Sequence, residues 1–147
     1  METGSHTRLV LWKAYKAVEA VDRLSIASTG LCLSDFAVLE LLLHKGPQPI
    51  SRIGQKVLLT SGSITAAIDR LQSRRYVKRE RDPDDKRVYR VELTPAGRKV
   101  IGSAYAAHAR NLDEVIGVLT PEERSSLVRL LKKLGRNAET CAERFGR

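Results

Sequence analysis

Cysteine is scarce in this 147-residue chain: Cys32 and Cys141 are the only two, far apart and in no CxxC pair. That excludes a disulfide framework and a thiolate zinc site. The three histidines, His6, His44 and His108, show no ligand spacing, so no metal is expected. Aromatic residues make up 5% of the chain, which argues against a surface that stacks single-stranded bases. No apolar run reaches the roughly 18 residues of a membrane span. No basic-then-apolar signal segment opens the sequence, so a cytoplasmic protein with free thiols and no membrane partner is expected. Enzyme chemistry is also wanting. The sequence offers no nucleophile with its base, no paired carboxylates and no phosphate-cradling glycine loop, so neither catalysis nor a cofactor is expected.

What the chain has in excess is positive charge. Its 26 Lys and Arg residues outnumber 17 Asp and Glu, for a net charge of +9. Such a balance favours a polyanionic partner. Between Asp69 and Lys99 eleven basic residues face six acidic ones, so over half of the excess lies in about a fifth of the chain.

Helix punctuation is clear. Leu11, Tyr15, Val18, Val21 and Leu24 recur at three- and four-residue spacing and predict a helix from about Thr7 to Ser25, broken at Thr29-Gly30. Ser34 is the expected N-cap of a helix over Asp35 to Lys45, stopped by Gly46-Pro47. Ser51 opens a short helix with Ile53 and Val57 inward, Leu59-Thr60 read as a tight turn, and Ser61 or Ser63 opens the next helix, with Ile64, Ile68 and Leu71 buried. Two short helices so joined make a helix-turn-helix. Tyr76 to Arg81 and Arg87 to Leu93 read as strands around the turn Asp82-Pro83-Asp84-Asp85-Lys86, a β-hairpin wing. Thr94-Pro95 then starts a long helix to about Leu119, and Thr120-Pro121-Glu122-Glu123 starts a last one with a capping box, ending near Phe145.

The expected fold is therefore mainly α with a small β-hairpin wing: a winged helix-turn-helix with flanking dimerisation helices. Residues 1–147 form one domain in this reading. Residues 34–99 make the DNA-binding lobe, and 5–28 with 100–147 make the dimerisation region, since those apolar stripes need a cover and a second copy is the simplest one.

Asp82-Pro83-Asp84-Asp85-Lys86-Arg87, followed by Val91-Glu92-Leu93-Thr94-Pro95-Ala96-Gly97, resembles the wing and following helix of the MarR family of transcriptional regulators. The family's Asp-x-Arg falls on Asp85 and Arg87, and its Leu-Thr-x-x-Gly on Leu93, Thr94 and Gly97. Leu59 to Thr65, continuing through Asp69-Arg70-Leu71, is similar to its recognition helix. The resemblance covers about Leu33 to Lys99, and the flanking helices match by layout.

It implies a homodimer that binds a pseudo-palindromic operator in double-stranded DNA. Recognition helix 61–75 would lie in the major groove and wing 76–93 in the minor groove, with repression relieved by a small aromatic or phenolic acid effector. A helix fits the major groove, and arginine suits a narrow, electronegative minor groove.

The residues expected on DNA are Ser61, Ser63, Thr65, Ala66, Asp69, Arg70, Ser73, Arg74, Lys86 and Arg87. Asp85 is expected either to hold the Arg87 guanidinium or to pin the hairpin backbone. The alternative for Ser61 and Ser63 is that they only cap the helix. Two departures stand out. Ala66 and Ala67 occupy positions that are often polar in relatives, leaving Ala66 only apolar contact, and Arg75 replaces a glycine usual before the wing.

Trp12, Tyr15 and His44 are the candidates for an effector pocket, although packing in a dimer core also accounts for Trp12 and Tyr15. A redox-responsive regulator built on Cys32 is one alternative. A winged module for RNA or protein partners is another.

Overall fold

A computed structural model describes residues 3–57 and 61–146, the side chain of residue 61 excepted. The turn expected at Leu59-Thr60 lies outside the described residues. The chain divides into two compact units, Met1–Asn111 and Leu112–Arg147.

In the first unit, α1 runs over Gly4–Ala27, longer at both ends than its apolar spacing predicts. Thr3 caps it, its hydroxyl accepting the His6 N–H at 3.2 Å. Helix α2 spans Leu33–Lys45 and begins two residues before the expected start. The Phe36 N–H already bonds the Cys32 carbonyl at 2.9 Å, which makes Cys32 the N-cap, without a side-chain cap bond. The expectation of Ser34 as cap is therefore corrected; Ser34 sits in the first turn with another partner, described below. Gly46 ends the helix at φ +70°, a conformation open to a residue without Cβ.

Strand β1 (Gln48–Pro49), helix α3 (Ile50–Val57) and helix α4 (Ser61–Ser73) follow, then strands β2 (Val77–Arg81) and β3 (Tyr89–Leu93) and helix α5 (Pro95–Ile116). The antiparallel sheet has the order β1-β3-β2, with Arg79 opposite Val91 and Gln48 opposite Val91 on the other side. Sequence reading missed β1. Two residues carry no alternation, and Pro49 argues against a strand unless the strand is short and at an edge.

The core gathers one face from each element: Phe36, Leu39 and Leu42 of α2, Ile53 of α3, Ile64, Ile68 and Leu71 of α4, Val77 and Val91 of the hairpin, and Ile101 of α5. Full burial of each such side chain contributes about 1.5–3 kcal/mol. Beside this core lies a buried polar cluster between α1 and α5. His108 bonds Ser25 Oγ through Nδ1 at 2.9 Å and meets Asp22 through Nε2 at 3.0 Å. Asn111 donates to the same Ser25 oxygen, and the His108 ring meets Phe36 edge-on.

The second unit holds the end of α5 and helix α6 (Pro121–Phe145). The capping box forms as expected: Thr120 Oγ1 accepts the Glu123 N–H, and Glu123 Oε2 accepts the Thr120 N–H. Helix α6 has no buried residue, and Leu127, Leu130, Leu131 and Leu134 lie along it 40–52% exposed. Among the described residues, no helix is long and apolar enough to cross a membrane.

Candidate nucleic-acid interface

Helix α4 buries Ile64, Ala67, Ile68 and Leu71 and turns Gly62, Ser63, Thr65, Ala66, Asp69, Arg70, Gln72 and Ser73 outward. Gln72 was missed in the sequence reading, although it stands three residues after Asp69 on the polar face. The Ser73 hydroxyl bends back to donate to the Asp69 carbonyl at 2.9 Å.

The end of α4 explains how the chain tolerates arginine in a glycine position. Arg75 has φ +59°, inside the left-handed region. The Tyr76 N–H reaches back to the Leu71 carbonyl and the Arg75 N–H to that of Gln72, both at 2.9 Å. This is the Schellman pattern that closes helices, usually on glycine. It turns the chain out of α4 and into β2.

The same turn is tied to α5. The Thr94 N–H donates to the Tyr76 carbonyl at 3.0 Å, and its hydroxyl donates to the Arg75 carbonyl at 2.7 Å. That hydroxyl oxygen also accepts the Gly97 N–H at 3.0 Å and so caps α5. A Cβ on Gly97 would lie 1.9 Å from the Tyr76 carbonyl oxygen. Thr94 and Gly97 therefore have a common task, which is to let the first turn of α5 seat on the backbone where helix becomes wing.

At the wing tip the organiser is Asp82, a residue not singled out from the sequence. Its Oδ1 accepts the N–H groups of Asp84 (2.8 Å) and Asp85 (3.1 Å), and its own N–H donates to the Val88 carbonyl. Arg90 Nε lies 3.5 Å from its other oxygen. The two backbone donors, followed by Arg90, hold the Asp82 carboxyl below its ordinary pKa. An aspartate that opens a Pro-Asp-Asp turn is the sequence signal for this Asx-turn. Asp85 Oδ1 accepts the Arg87 N–H at 3.0 Å and lies 3.7 Å from Arg87 Nε. The Arg87 side chain is 96% exposed.

Ion pairs sort the eleven cations of this region. Arg70 pairs with Asp35, Arg79 with Asp69, Arg87 with Asp85, Arg90 with Asp82, and Lys78 with both Glu80 and Glu92. Glu80 first and then Glu92 push the Lys78 pKa upward. Among the described residues, Arg74, Arg75, Arg81, Lys86, Arg98 and Lys99 have no carboxylate partner, so uncompensated positive charge remains on the helix end, the wing and the start of α5. Arg74 lies over the Tyr76 ring at 4.8 Å, and Arg81 reaches the Lys86 carbonyl.

Arg70 is the most heavily engaged. Its Nη2 donates to Asp35 Oδ1 at 2.6 Å and to Ser34 Oγ at 3.0 Å, and lies 3.7 Å from Cys32 Sγ. The hydrogen bond to Asp35 pushes the Arg70 pKa upward.

The pocket residues are dispersed. Trp12 and Tyr15 are exposed on α1, the Tyr15 hydroxyl donating to Glu19. His44 ends α2 edge-on to Tyr105, at a cavity of about 290 Å³ whose lining (Ala37, Glu40, Leu41, Lys45, Lys56 and Val57 besides His44) includes neither Trp12 nor Tyr15. A second hollow of about 470 Å³ lies between Ser28 and Thr29 and the α5 residues Lys99, Ser103 and Ala107. Cys32 is exposed, and among the described residues no cluster of His, Cys, Asp and Glu could hold a metal ion.

Residues 31–89 match the model of the MarR family. The HTH-type transcriptional regulator MhqR of Bacillus subtilis is 40% identical over 131 residues, 89% of this chain and 90% of that protein. The fold superposes with a TM-score of 0.75 on Bordetella bronchiseptica BpsR, whose DNA binding is regulated by 6-hydroxynicotinic acid; the identity is 26%, over 88% of this chain and 98% of that one. A mutant MarR from E. coli complexed with operator DNA shares the fold at 0.72, with 24% identity over 87% of this chain and 91% of that one.

Proposed function

The chain belongs to the MarR family of transcriptional regulators, and from that premise we propose that it is a cytoplasmic repressor that binds a pseudo-palindromic operator as a homodimer. In this reading residues 34–99 are the DNA-binding lobe, with α4 in the major groove and the wing in the adjacent minor groove. The observation that carries it is the pairing, on one unit, of the polar face of α4 with a hairpin tipped by the almost fully exposed Arg87. The uncompensated cations Arg74 and Arg75 directly follow α4, Arg81 and Lys86 belong to the hairpin, and all four suit phosphates.

Dimerisation through residues 5–28 and 100–147 is supported by the apolar side chains left uncovered on α1 (Val10, Leu11, Trp12) and on α6 (Leu127, Leu130, Leu131). Relief by a small aromatic acid is supported by the behaviour of BpsR, which makes 6-hydroxynicotinic acid a first ligand to try.

The test is a titration of the purified protein against the duplex upstream of its own gene, at physiological salt with excess unrelated DNA. Tight binding that survives the competitor and weakens in Arg87→Ala is expected. Binding abolished by the competitor, or a monomer by light scattering at micromolar concentration, would overturn the reading.

A further inference from the structure

Asp69 and Arg70 stand in the last turns of α4, where a side chain could reach DNA, yet each is engaged elsewhere in the fold. Asp69 takes the Arg79 guanidinium from β2, and Arg70 gives its own guanidinium to Asp35 at the start of α2. Successive helix positions differ by about 100° in direction, so two consecutive residues of opposite sign bind two different neighbours. Apolar burial holds α4 down, but its driving force is non-directional and leaves some freedom in the exact rotation of the helix. Directional ion pairs on two sides remove that freedom.

The Arg70 pair has the more deeply buried carboxylate of the two. The Asp35 side chain is 4% exposed, and a buried carboxylate is stable only when paired and hydrogen-bonded. Its partner comes from 35 residues further along the chain, and Ser34 Oγ adds a second acceptor at 3.0 Å. The Arg79 carboxylate partner, by contrast, is more than half exposed.

We propose that Arg70 is a positioning residue: clamped by Asp35 and Ser34, it sets the rotation of α4 against α2 and so decides which α4 side chains meet base edges. This rests on the reading of α4 as the recognition helix. A charge that only touches phosphate contributes affinity across all sequences, whereas a residue that aims the helix contributes discrimination between sequences.

The experiment uses full-length protein and the duplex that the wild type enriches from a random library, with a scrambled duplex of the same composition as reference. Arg70→Gln and Asp35→Asn are each expected to lower the ratio of specific to non-specific affinity roughly tenfold while leaving the slope of log K against log salt unchanged. The double variant is expected to be no worse than either single one, because both break the same contact.

A slope that falls by about one in Arg70→Gln, with Asp35→Asn binding normally, would make Arg70 a phosphate contact and overturn the proposal. So would a lower Tm in both variants with the specificity ratio intact, which marks a structural pair only. Should Asp35→Asn fail to fold, Ser34→Ala removes the second acceptor and is expected to move the ratio the same way by a smaller factor. A wild type that enriches no sequence overturns the regulator reading and this proposal together, whereas enrichment that Arg70→Gln retains overturns this proposal alone.

Discussion

Helix α4 presents its polar face from a bed of apolar side chains and is fixed by partners distant in sequence, Asp35 on α2 and Arg79 on β2. The wing tip has almost no apolar cover, and apart from an Arg90 bond to the Pro47 carbonyl its bonds stay within residues 81–90: Asp82 to Asp84, Asp85 and Arg90, Asp85 to Arg87, Arg81 to Lys86. Both elements belong to one DNA-binding winged helix, yet they are ordered differently. The pose of the helix rests on contacts made across the fold. The tip of the wing is held mostly by contacts within ten residues. A helix held by long-range contacts thus stands beside a hairpin held mostly by local ones, and substitutions at the two should be felt on different scales.

The largest effect is expected where the two meet. Gly97→Ala would drive a methyl group into the Tyr76 carbonyl, a backbone atom pinned by Thr94, so the clash cannot be relieved by a rotamer change. A loss of about 3 kcal/mol in urea unfolding is expected, the upper end of overpacking penalties. Ordinary stability in this variant would mean that α5 and the helix-to-wing turn are less tightly joined than the distances indicate.

Arg87→Ala should behave in the opposite way. Its guanidinium is almost wholly in solvent, so unfolding should be unchanged while operator affinity falls roughly tenfold in a competition titration. Asp82 provides a smaller, graded perturbation of the same arm. Its carboxyl is held below the ordinary range by the Asp84 and Asp85 N–H groups, so the folded tip prefers the ionised form. That preference is present above the usual aspartate pKa and is lost as pH falls through the depressed value. Amide resonances of Asp84, Asp85 and Val88 should therefore shift as pH falls through that depressed value, on a titration curve separate from that of α4. Simultaneous change in both elements would contradict their independence. At neutral pH, Asp82→Asn should give a milder version of the acid spectrum.

What was legible in the sequence follows the same division. The wing could be read because its determinants are local: turn residues, alternation, and a threonine and a glycine at fixed spacing in the following helix. The buried faces of α2, α3 and α4 could be read because 3.6-residue periodicity is local too. The engagement of Arg70 could not. Nothing near Arg70 announces a buried carboxylate 35 positions upstream, and an exposed arginine on a recognition helix reads as a DNA contact. Ser34 reads as a cap for a related reason. Hydroxyls before an apolar run usually cap, but here the helical ladder begins at Cys32, and Ser34 is used by a partner visible only in three dimensions. Strand β1 escaped because its identity depends on β3 alone.

Arg75 is the residue at which the two kinds of order are joined, and the smallest effect is expected there. It occupies a left-handed conformation that costs a side-chain-bearing residue roughly 1–2 kcal/mol relative to glycine, offset in part by the greater chain entropy glycine loses on folding. Arg75→Gly should therefore stabilise the protein by about 0.5–1 kcal/mol, a gain of a few degrees in Tm for a chain of this size. Two lengths of chain meet at this turn, so relief of strain in it could tighten the wing or merely lower its energy. Operator affinity tells these apart. The variant also removes one uncompensated cation, so a simple loss of charge should weaken binding slightly and lower the salt slope by up to one. Tighter specific binding despite the lost charge would mean that the strained turn holds the wing away from its DNA-bound position, and the wing would then be less independent of the helix than its local hydrogen bonds suggest.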